Sequence, residues 1–372
     1  MTLTLHPANL QGEIAAMPSK SDLHRLMIAA WLARQDITDL PIISDDIAAT
    51  RDCLLATDGV LNCRESGSTL RFLLPVMAAI GGTHAFTGEG RLPDRPLEPL
   101  LSLLRQHGVA INGSKLPLTI SGQLQAGTYI LPGNISSQYI TGLLFALPLL
   151  PGNSEILLSS PLESAGYVEM TLRTLEKFGI IAQKSTKGWY ITGGQVYRAV
   201  SDLTPEGDWS NAAFWLAAGL KVAGLDENSA QPDRQVMQLL NTGHHMDASQ
   251  CPDLVPIMAV YAATHHKHYA ITNAARLRIK ESDRLAAMAN NLKALGAELI
   301  EQPDGMIING GKQLSGGVTV DSFGDHRIAM AMAIAALHCA QPITLTNAEV
   351  VTKSYPDFWD DYKNYGGIVH GL

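Results

Sequence analysis

Apolar residues run through this chain in two alternating textures. In one, a small or polar residue leads straight into a stretch rich in Ala, Leu and Met with few polar breaks, as from Gly67 to Ile80 or Asp325 to Leu337. Such a stretch is apolar on nearly every side, which predicts a helix inside a core. In the other, apolar residues recur every three or four positions and the run closes on a glycine. Leu285, Met288, Leu292 and Leu295 before Gly296 are the clearest case, and they predict an amphipathic helix. Short β-like runs follow, such as Gly108 to Ile111 and then Leu116 to Ile120.

The alternation occurs six times. The buried helices are predicted to start at Ser21-Asp22-Leu23, Gly67-Ser68-Thr69, Ser136-Ser137-Gln138, Asp208-Trp209-Ser210, Pro252-Asp253-Leu254 and Asp325-His326-Arg327. Ser, Thr and Asp suit such starts because their oxygens accept from the unpaired N–H groups of a first turn. The amphipathic helices close at Gly59, Gly108, Gly179, Gly243, Gly296 and Gly366, so each copy spans about 35 to 43 positions. The repeating unit is a strand, a buried helix, a strand, an amphipathic helix and a strand pair, which makes the fold class α/β. Only seven residues separate Gly59 from Gly67 and nine separate Gly243 from Asp253, where other junctions allow nearly thirty. Copies one and four are therefore expected to lack their closing hairpins.

Composition narrows the function. Of 372 residues, 46% are hydrophobic and 17% charged, a globular balance that excludes disorder for most of the chain. The formal charge of −8 disfavours a nucleic-acid coat or a basic membrane-surface binder. The longest apolar run, Ile328 to Leu337, falls short of the roughly 18 residues that span a bilayer. No signal peptide is visible, and Cys53, Cys63, Cys251 and Cys339 show no CxxC spacing, so free thiols in a cytoplasmic protein are expected.

Several helix starts carry charges that a helix alone does not want. In Pro18-Ser19-Lys20-Ser21-Asp22-Leu23-His24-Arg25, two cations sit where the helix dipole is positive, which fits either a bound phosphate or a solvated basic turn. Ser136-Ser137-Gln138 offers uncharged donors, Asp253 reads as an ordinary N-cap, and Asp325-His326-Arg327 puts an arginine on a first turn. The densest segment, Arg276 to Arg284, alternates as a strand would and places Arg276, Arg278 and Lys280 on one face. A lysine and a carboxylate there suit acid/base work in a polar cleft. The pairs His244-His245 and His265-His266 lack metal-ligand spacing, and no phosphate loop or dinucleotide fingerprint is present. The implied chemistry is anion binding with acid/base catalysis, without metal or cofactor.

Together the segments PSKSDLHR, ESGSTLRF, GRLPDRP, SSQYITGLL, GDWSNAAF, PDLVPIMA, RLRIKESDRL, DHRIAMA and KSYPDFW, in that order, resemble the 5-enolpyruvylshikimate-3-phosphate synthase family. The resemblance implies a two-domain inside-out α/β barrel with six βαβαββ repeats, three per domain, two of them trimmed here. One domain would span 19–206; the other would combine 1–18 with 207–372, with a hinge near 17–20 and 204–208. It implies transfer of the enolpyruvyl group of phosphoenolpyruvate to the 5-hydroxyl of shikimate 3-phosphate, with release of phosphate, through a tetrahedral intermediate. Carried over by motif, Lys20, Ser21, Arg25, Ser136, Ser137, Gln138, Ser164, Asp253 and Lys280 would bind shikimate 3-phosphate. Lys20, Gly67, Arg95, Gln138, Arg284, Arg327 and Lys353 would bind phosphoenolpyruvate. Asp253 would engage the attacking hydroxyl, Glu281 would exchange protons with the methylene, and Lys20 would contact both substrates. No metal, cofactor, nucleic acid or membrane is implied, and a monomer is expected.

Glu65 and Arg276 stand where many members have asparagine, and neither is carried over. Gly67 without a methyl group implies sensitivity to glyphosate, whereas Glu65 argues the other way. Two alternatives share the architecture: a relic that binds anions without turnover, and the sister transferase acting on UDP-N-acetylglucosamine. The second typically uses a loop cysteine near the position of Arg95, and no cysteine lies between Cys63 and Cys251.

Overall fold

A computed structural model describes residues 1–241 and 243–371. The chain divides into two units: Met1–Ser19 with Glu206–Leu372, and Lys20–Pro205. In chain order the first elements are β1 (Thr2–His6) and β2 (Glu13–Ala15), both in the first of these units. The second unit then runs α1 (Lys20–Leu32), α2 (Asp45–Leu55), β3 (Val60–Asn62), α3 (Gly67–Ile80), β4 (Gly82–Thr87), α4 (Leu100–Gln106), β5 (Val109–Asn112) and β6 (Leu118–Gly122). It continues with β7 (Thr128–Leu131), α5 (Ser137–Ala146), β8 (Ser154–Leu158), α6 (Ala165–Lys177), β9 (Ala182–Ser185) and β10 (Gly188–Ile191). The remainder belongs to the first unit: α7 (Trp209–Ala217), β11 (Lys221–Ala223), α8 (Val236–Asn241), β12 (His245–Asp247), α9 (Val255–His265), β13 (Tyr269–Thr272) and α10 (Arg284–Ala294). It ends with β14 (Glu298–Gln302), β15 (Gly305–Asn309), β16 (Thr319–Asp321), α11 (His326–Leu337), β17 (Ile343–Thr346), α12 (Phe358–Asn364) and β18 (Ile368–His370).

Four sheets share one topology. Their strand orders are β3-β4-β6-β5, β7-β8-β10-β9, β12-β13-β15-β14 and β16-β17-β1-β18. In each, the first two strands run parallel and the next two pairings are antiparallel. The parallel pair brackets the buried helix, and in the first three sheets both antiparallel partners come after the amphipathic one. The last sheet is closed by the chain's own beginning, with Thr2 opposite Thr346 and Leu5 opposite Ile343.

The two short junctions leave different remnants. Copy four keeps only the parallel pair of β2 and β11, with Lys221 opposite Glu13. Copy one is reduced further than its length suggested: α1 leads through turns directly to α2, with no strand between them. The expected strand over Arg276–Lys280 is instead a 3-10 helix at Ala275–Ile279, so its cations diverge rather than share a face. Five of the six closing glycines are left-handed, from φ +75° to +108°; Gly243 is not.

The continuous apolar helices lie where their composition requires. Every residue of α11 from His326 to Ala336 is buried, as is every residue of α5 except Gln138. Inside α3, Pro75 removes the donor that would meet the Arg71 carbonyl. Gly142 of α5 packs on that carbonyl, where a Cβ would clash with it. Among the described residues, no helix is long and apolar enough to cross a membrane, and all four cysteines are buried free thiols.

Candidate active site

Lys20–Pro205 gathers most of its expected residues around three helix starts. Lys20 opens α1, and its Nζ lies 2.8 Å from Asp46 Oδ2 on α2. One turn on, Arg25 is buried, and its guanidinium donates to Thr171 Oγ1 at 2.9 Å and to the carbonyls of Ser21 and Tyr167 at 2.5 and 2.7 Å. Burial pushes its pKa down to about 10 despite Asp22 and Tyr167, so it stays charged at neutral pH. Three neutral oxygens orient it, and the Asp22 carboxylate supports its charge.

Gly67 is the first residue of α3, capped by Ser66. A Cβ at Gly67 would come within 2.5 Å of Arg71 Nη1 and 2.7 Å of Arg95 Nη1. Two guanidiniums thus converge on the N–H end of a fourteen-residue helix, an arrangement suited to an anion. Arg71 is buried and donates to Gln138 Oε1 at 3.1 Å and to the Pro96 carbonyl at 3.2 Å. Gln138 Nε2 donates in turn to Ser68 Oγ at 2.9 Å, which joins the starts of α3 and α5. Ser136 caps α5 by accepting from the Gln138 N–H, and Ser137 is buried beside it. Ser164 precedes α6 in the left-handed region (φ 54°, ψ 42°), a conformation that costs a non-glycine residue energy.

The other unit arranges its charges differently. Arg284, at the start of α10, is buried, and each of its nitrogens meets a carboxylate. Nε donates to Asp325 at 2.7 Å, Nη1 to Asp253 at 2.8 Å, and Nη2 to Glu281 at 2.9 Å. Arg327, on the first turn of α11, lies 3.0 Å from the other oxygen of Asp253 and donates to Ser210 Oγ at 2.8 Å. Lys280 Nζ stands 3.9 Å from Asp253. Burial works against the charge on Asp253, but Arg327, Lys280 and Arg284 outweigh it and hold the carboxyl well below the usual range. The three carboxylates raise the Arg284 pKa above its ordinary value although burial opposes them.

Asp253 is thus no N-cap. It sits in a 3-10 turn at Pro252–Leu254 and makes no capping bond, because its carboxylate faces the cations of α10 and α11. Asp325 does cap α11, accepting from the Arg327 N–H at 3.0 Å while it holds Arg284. Lys353 is buried at the end of a 3-10 helix at Ala348–Lys353. Arg276 donates to the Ser249 carbonyl, and Arg278 to Asp283 and the carbonyls of Gln302 and Pro303. Among the described residues, no group of three or more His, Cys, Asp or Glu side chains could hold a metal ion.

Three residues of these clusters escaped the sequence reading: Asp46, Arg71 and Asp325. Arg71 had a legible signal, since it lies four residues after Gly67 and so on the same helix face. Asp325 was legible only as a cap. Asp46 had none, because its partner is 26 positions away.

The sequence profile of the EPSP synthase (3-phosphoshikimate 1-carboxyvinyltransferase) family matches residues 47–238 and 220–362. The 3-phosphoshikimate 1-carboxyvinyltransferase of Clostridium kluyveri is 40% identical over 419 aligned positions, covering 99% of this chain and 98% of that protein. The Clostridium acetobutylicum protein of the same name is 42% identical, covering 98% and 97%. Because 419 aligned positions exceed the 372 residues here, at least 47 of them have no counterpart in this chain. EPSP synthase from Acinetobacter baumannii superimposes with a TM-score of 0.80 at 23% identity, covering all of both chains. The enolpyruvyl transferase NikO from Streptomyces tendae gives 0.74 at 18% identity, covering 99% and 98%. The chain belongs to the EPSP synthase (3-phosphoshikimate 1-carboxyvinyltransferase) family.

Proposed function

We propose that this protein transfers the enolpyruvyl group of phosphoenolpyruvate to the 5-hydroxyl of shikimate 3-phosphate and releases inorganic phosphate. The observation that carries this reading is the pair of guanidiniums, Arg71 and Arg95, converging on Gly67 at the start of α3. In this reading Lys20, Ser21, Arg25, Ser136, Ser137, Gln138, Ser164, Lys280 and Asp253 hold shikimate 3-phosphate. Gly67, Arg95, Gln138 and Lys20, with Arg284, Arg327 and Lys353, hold phosphoenolpyruvate.

The chemistry follows from the charges. The hydroxyl oxygen adds to C2 of phosphoenolpyruvate while C3 gains a proton from Glu281, which takes up that proton once the substrate carboxylate draws Arg284 away from it, giving a tetrahedral intermediate. Asp253 accepts the hydroxyl proton. The C2–O bond to phosphate then breaks, the proton taken up by Asp253 passes to the departing phosphate oxygen, and Glu281 takes a proton back from C3 to restore the double bond. A carboxyl held as low as Asp253 is a weak base while Arg284 and Arg327 face it. When the substrate carboxylate shares those guanidiniums, their hold on Asp253 weakens and its basicity rises. Fixed cations around the reacting carbon supply the electrostatic stabilisation.

Steady-state phosphate release tests the proposal. Release is expected only when both substrates are present, and release without shikimate 3-phosphate, or none with both, would overturn it. A monomeric cytoplasmic enzyme, with its hinge at 17–20 and 204–208, completes the reading; light scattering on the eluted protein checks the monomer.

A further inference from the structure

A buried chain of hydroxyls crosses the copy that lost its sheet. His24 Nδ1 on α1 lies 2.7 Å from Thr50 Oγ1 on α2, which lies 2.6 Å from Thr69 Oγ1 on α3. Thr69 Oγ1 donates to Ser66 Oγ at 2.7 Å, and Ser66 Oγ also accepts the Thr69 N–H, closing the cap at the start of α3. All four side chains are buried.

The direction of the chain follows from His24. Burial holds this imidazole at a pKa of about 3, so it is neutral and carries one N–H. Nε2 is buried without a partner. An unpaired lone pair costs less than an unpaired N–H, so the proton sits on Nδ1 and is donated to Thr50. Thr50 then donates to Thr69 and Thr69 to Ser66, since the alternative acceptor, the Asp46 carbonyl, is farther from both at 3.3 and 3.5 Å.

We propose that His24 and Thr50 are positioning residues, which act through Thr69 and Ser66 to fix the first turn of α3, and with it Gly67, where Arg71 and Arg95 converge. The inference rests on the proposed function only for which substrate feels the change. In the complete copies a parallel strand pair brackets the buried helix; in copy one this chain ties α1 and α2 to α3 instead. Successive hydrogen bonds between buried groups are what make such a chain rigid.

Thr50→Val keeps the volume and removes the hydroxyl, and Thr50→Ser restores it. In Thr50→Val, the Thr69 amide is expected to exchange with deuterium about tenfold faster, with α5 and α6 unchanged. KM for phosphoenolpyruvate is expected to rise about tenfold, KM for shikimate 3-phosphate less than twofold, and Thr50→Ser to recover both readouts. Unchanged exchange at Thr69, equal acceleration in α5 and α6, or equal rises in both KM values would overturn the proposal. Failure of Thr50→Ser to recover the readouts would overturn it too. If the unmodified protein shows no two-substrate phosphate release but Thr69 exchange responds as expected, the proposed function falls and the positioning role stands.

Discussion

The two units hold similar numbers of cations in opposite company. In Lys20–Pro205, the guanidiniums of Arg25 and Arg71 donate to neutral oxygens, from Thr171, Ser21, Tyr167, Gln138 and Pro96. In the other unit, Arg284 is held by Asp253, Glu281 and Asp325. Neutral acceptors orient a guanidinium without setting a negative charge against it. Carboxylates offset a guanidinium's field, and under the proposed function the second cluster exchanges partners as the substrate carboxylate arrives. One region orients its guanidiniums with neutral oxygens; the other pairs its guanidinium with carboxylates.

The largest effect should come from the paired region. Glu281→Gln keeps a hydrogen bond to Arg284 but cannot exchange a proton, and kcat is expected to fall about 10² to 10⁴-fold with little change in melting temperature. Steady-state phosphate release reads this, and a drop under tenfold would remove Glu281 from the proton-transfer role. Next, Asp325→Ala strips a fully buried partner from Arg284 and the cap from α11. Breaking such a pair costs about 3–5 kcal/mol, visible in urea denaturation. Arg71→Met in the other region strips the donors from Gln138 Oε1 and the Pro96 carbonyl, and should cost about 1–3 kcal/mol. Equal losses would erase the contrast between the units.

Gly67→Ala sharpens it from the other side. The added methyl would press the far ends of Arg71 and Arg95, which can move. KM for phosphoenolpyruvate is expected to rise about tenfold, with stability level or raised by up to ~1 kcal/mol from helix propensity. Acid separates the units last. The folded pKa of His24, about 3, lies below its ordinary 6.5, so the unfolded chain binds the extra proton. Stability is therefore complete above pH 6.5 and falls progressively as pH drops toward 3. The folded pKa of Asp253 is depressed, so its contribution persists above about pH 4 and is lost only below. Burial also lowers His266 and His338 in that unit, adding smaller losses below pH 6.5. Exchange mapping between pH 7.5 and 5 should show Lys20–Pro205 loosening first, and His24→Asn should remove most of that difference.

The reach of the sequence follows the range of the forces. Helix starts, buried apolar helices and closing glycines depend on neighbours within a few residues, so the repeat and its short junctions were legible. The strand expected at Arg276–Lys280 failed because alternation of charged and apolar residues also fits a 3-10 turn when each cation finds its own acceptor. Asp253 was misread as a cap because its partners, Arg284 and Arg327, are 31 and 74 positions away. The Lys20–Asp46 pair and the His24–Thr50–Thr69 chain were invisible for the same reason. The family resemblance supplied residues such as Ser164, whose left-handed backbone has no sequence signature.

The most direct measurement follows both phosphorus and protons by NMR in one tube containing the protein, phosphoenolpyruvate and shikimate 3-phosphate. The account predicts one inorganic phosphate and one enolpyruvyl ether, with intact vinyl protons, for each phosphoenolpyruvate consumed. Phosphoenolpyruvate that persists, or that turns to pyruvate without a vinyl ether, would contradict it.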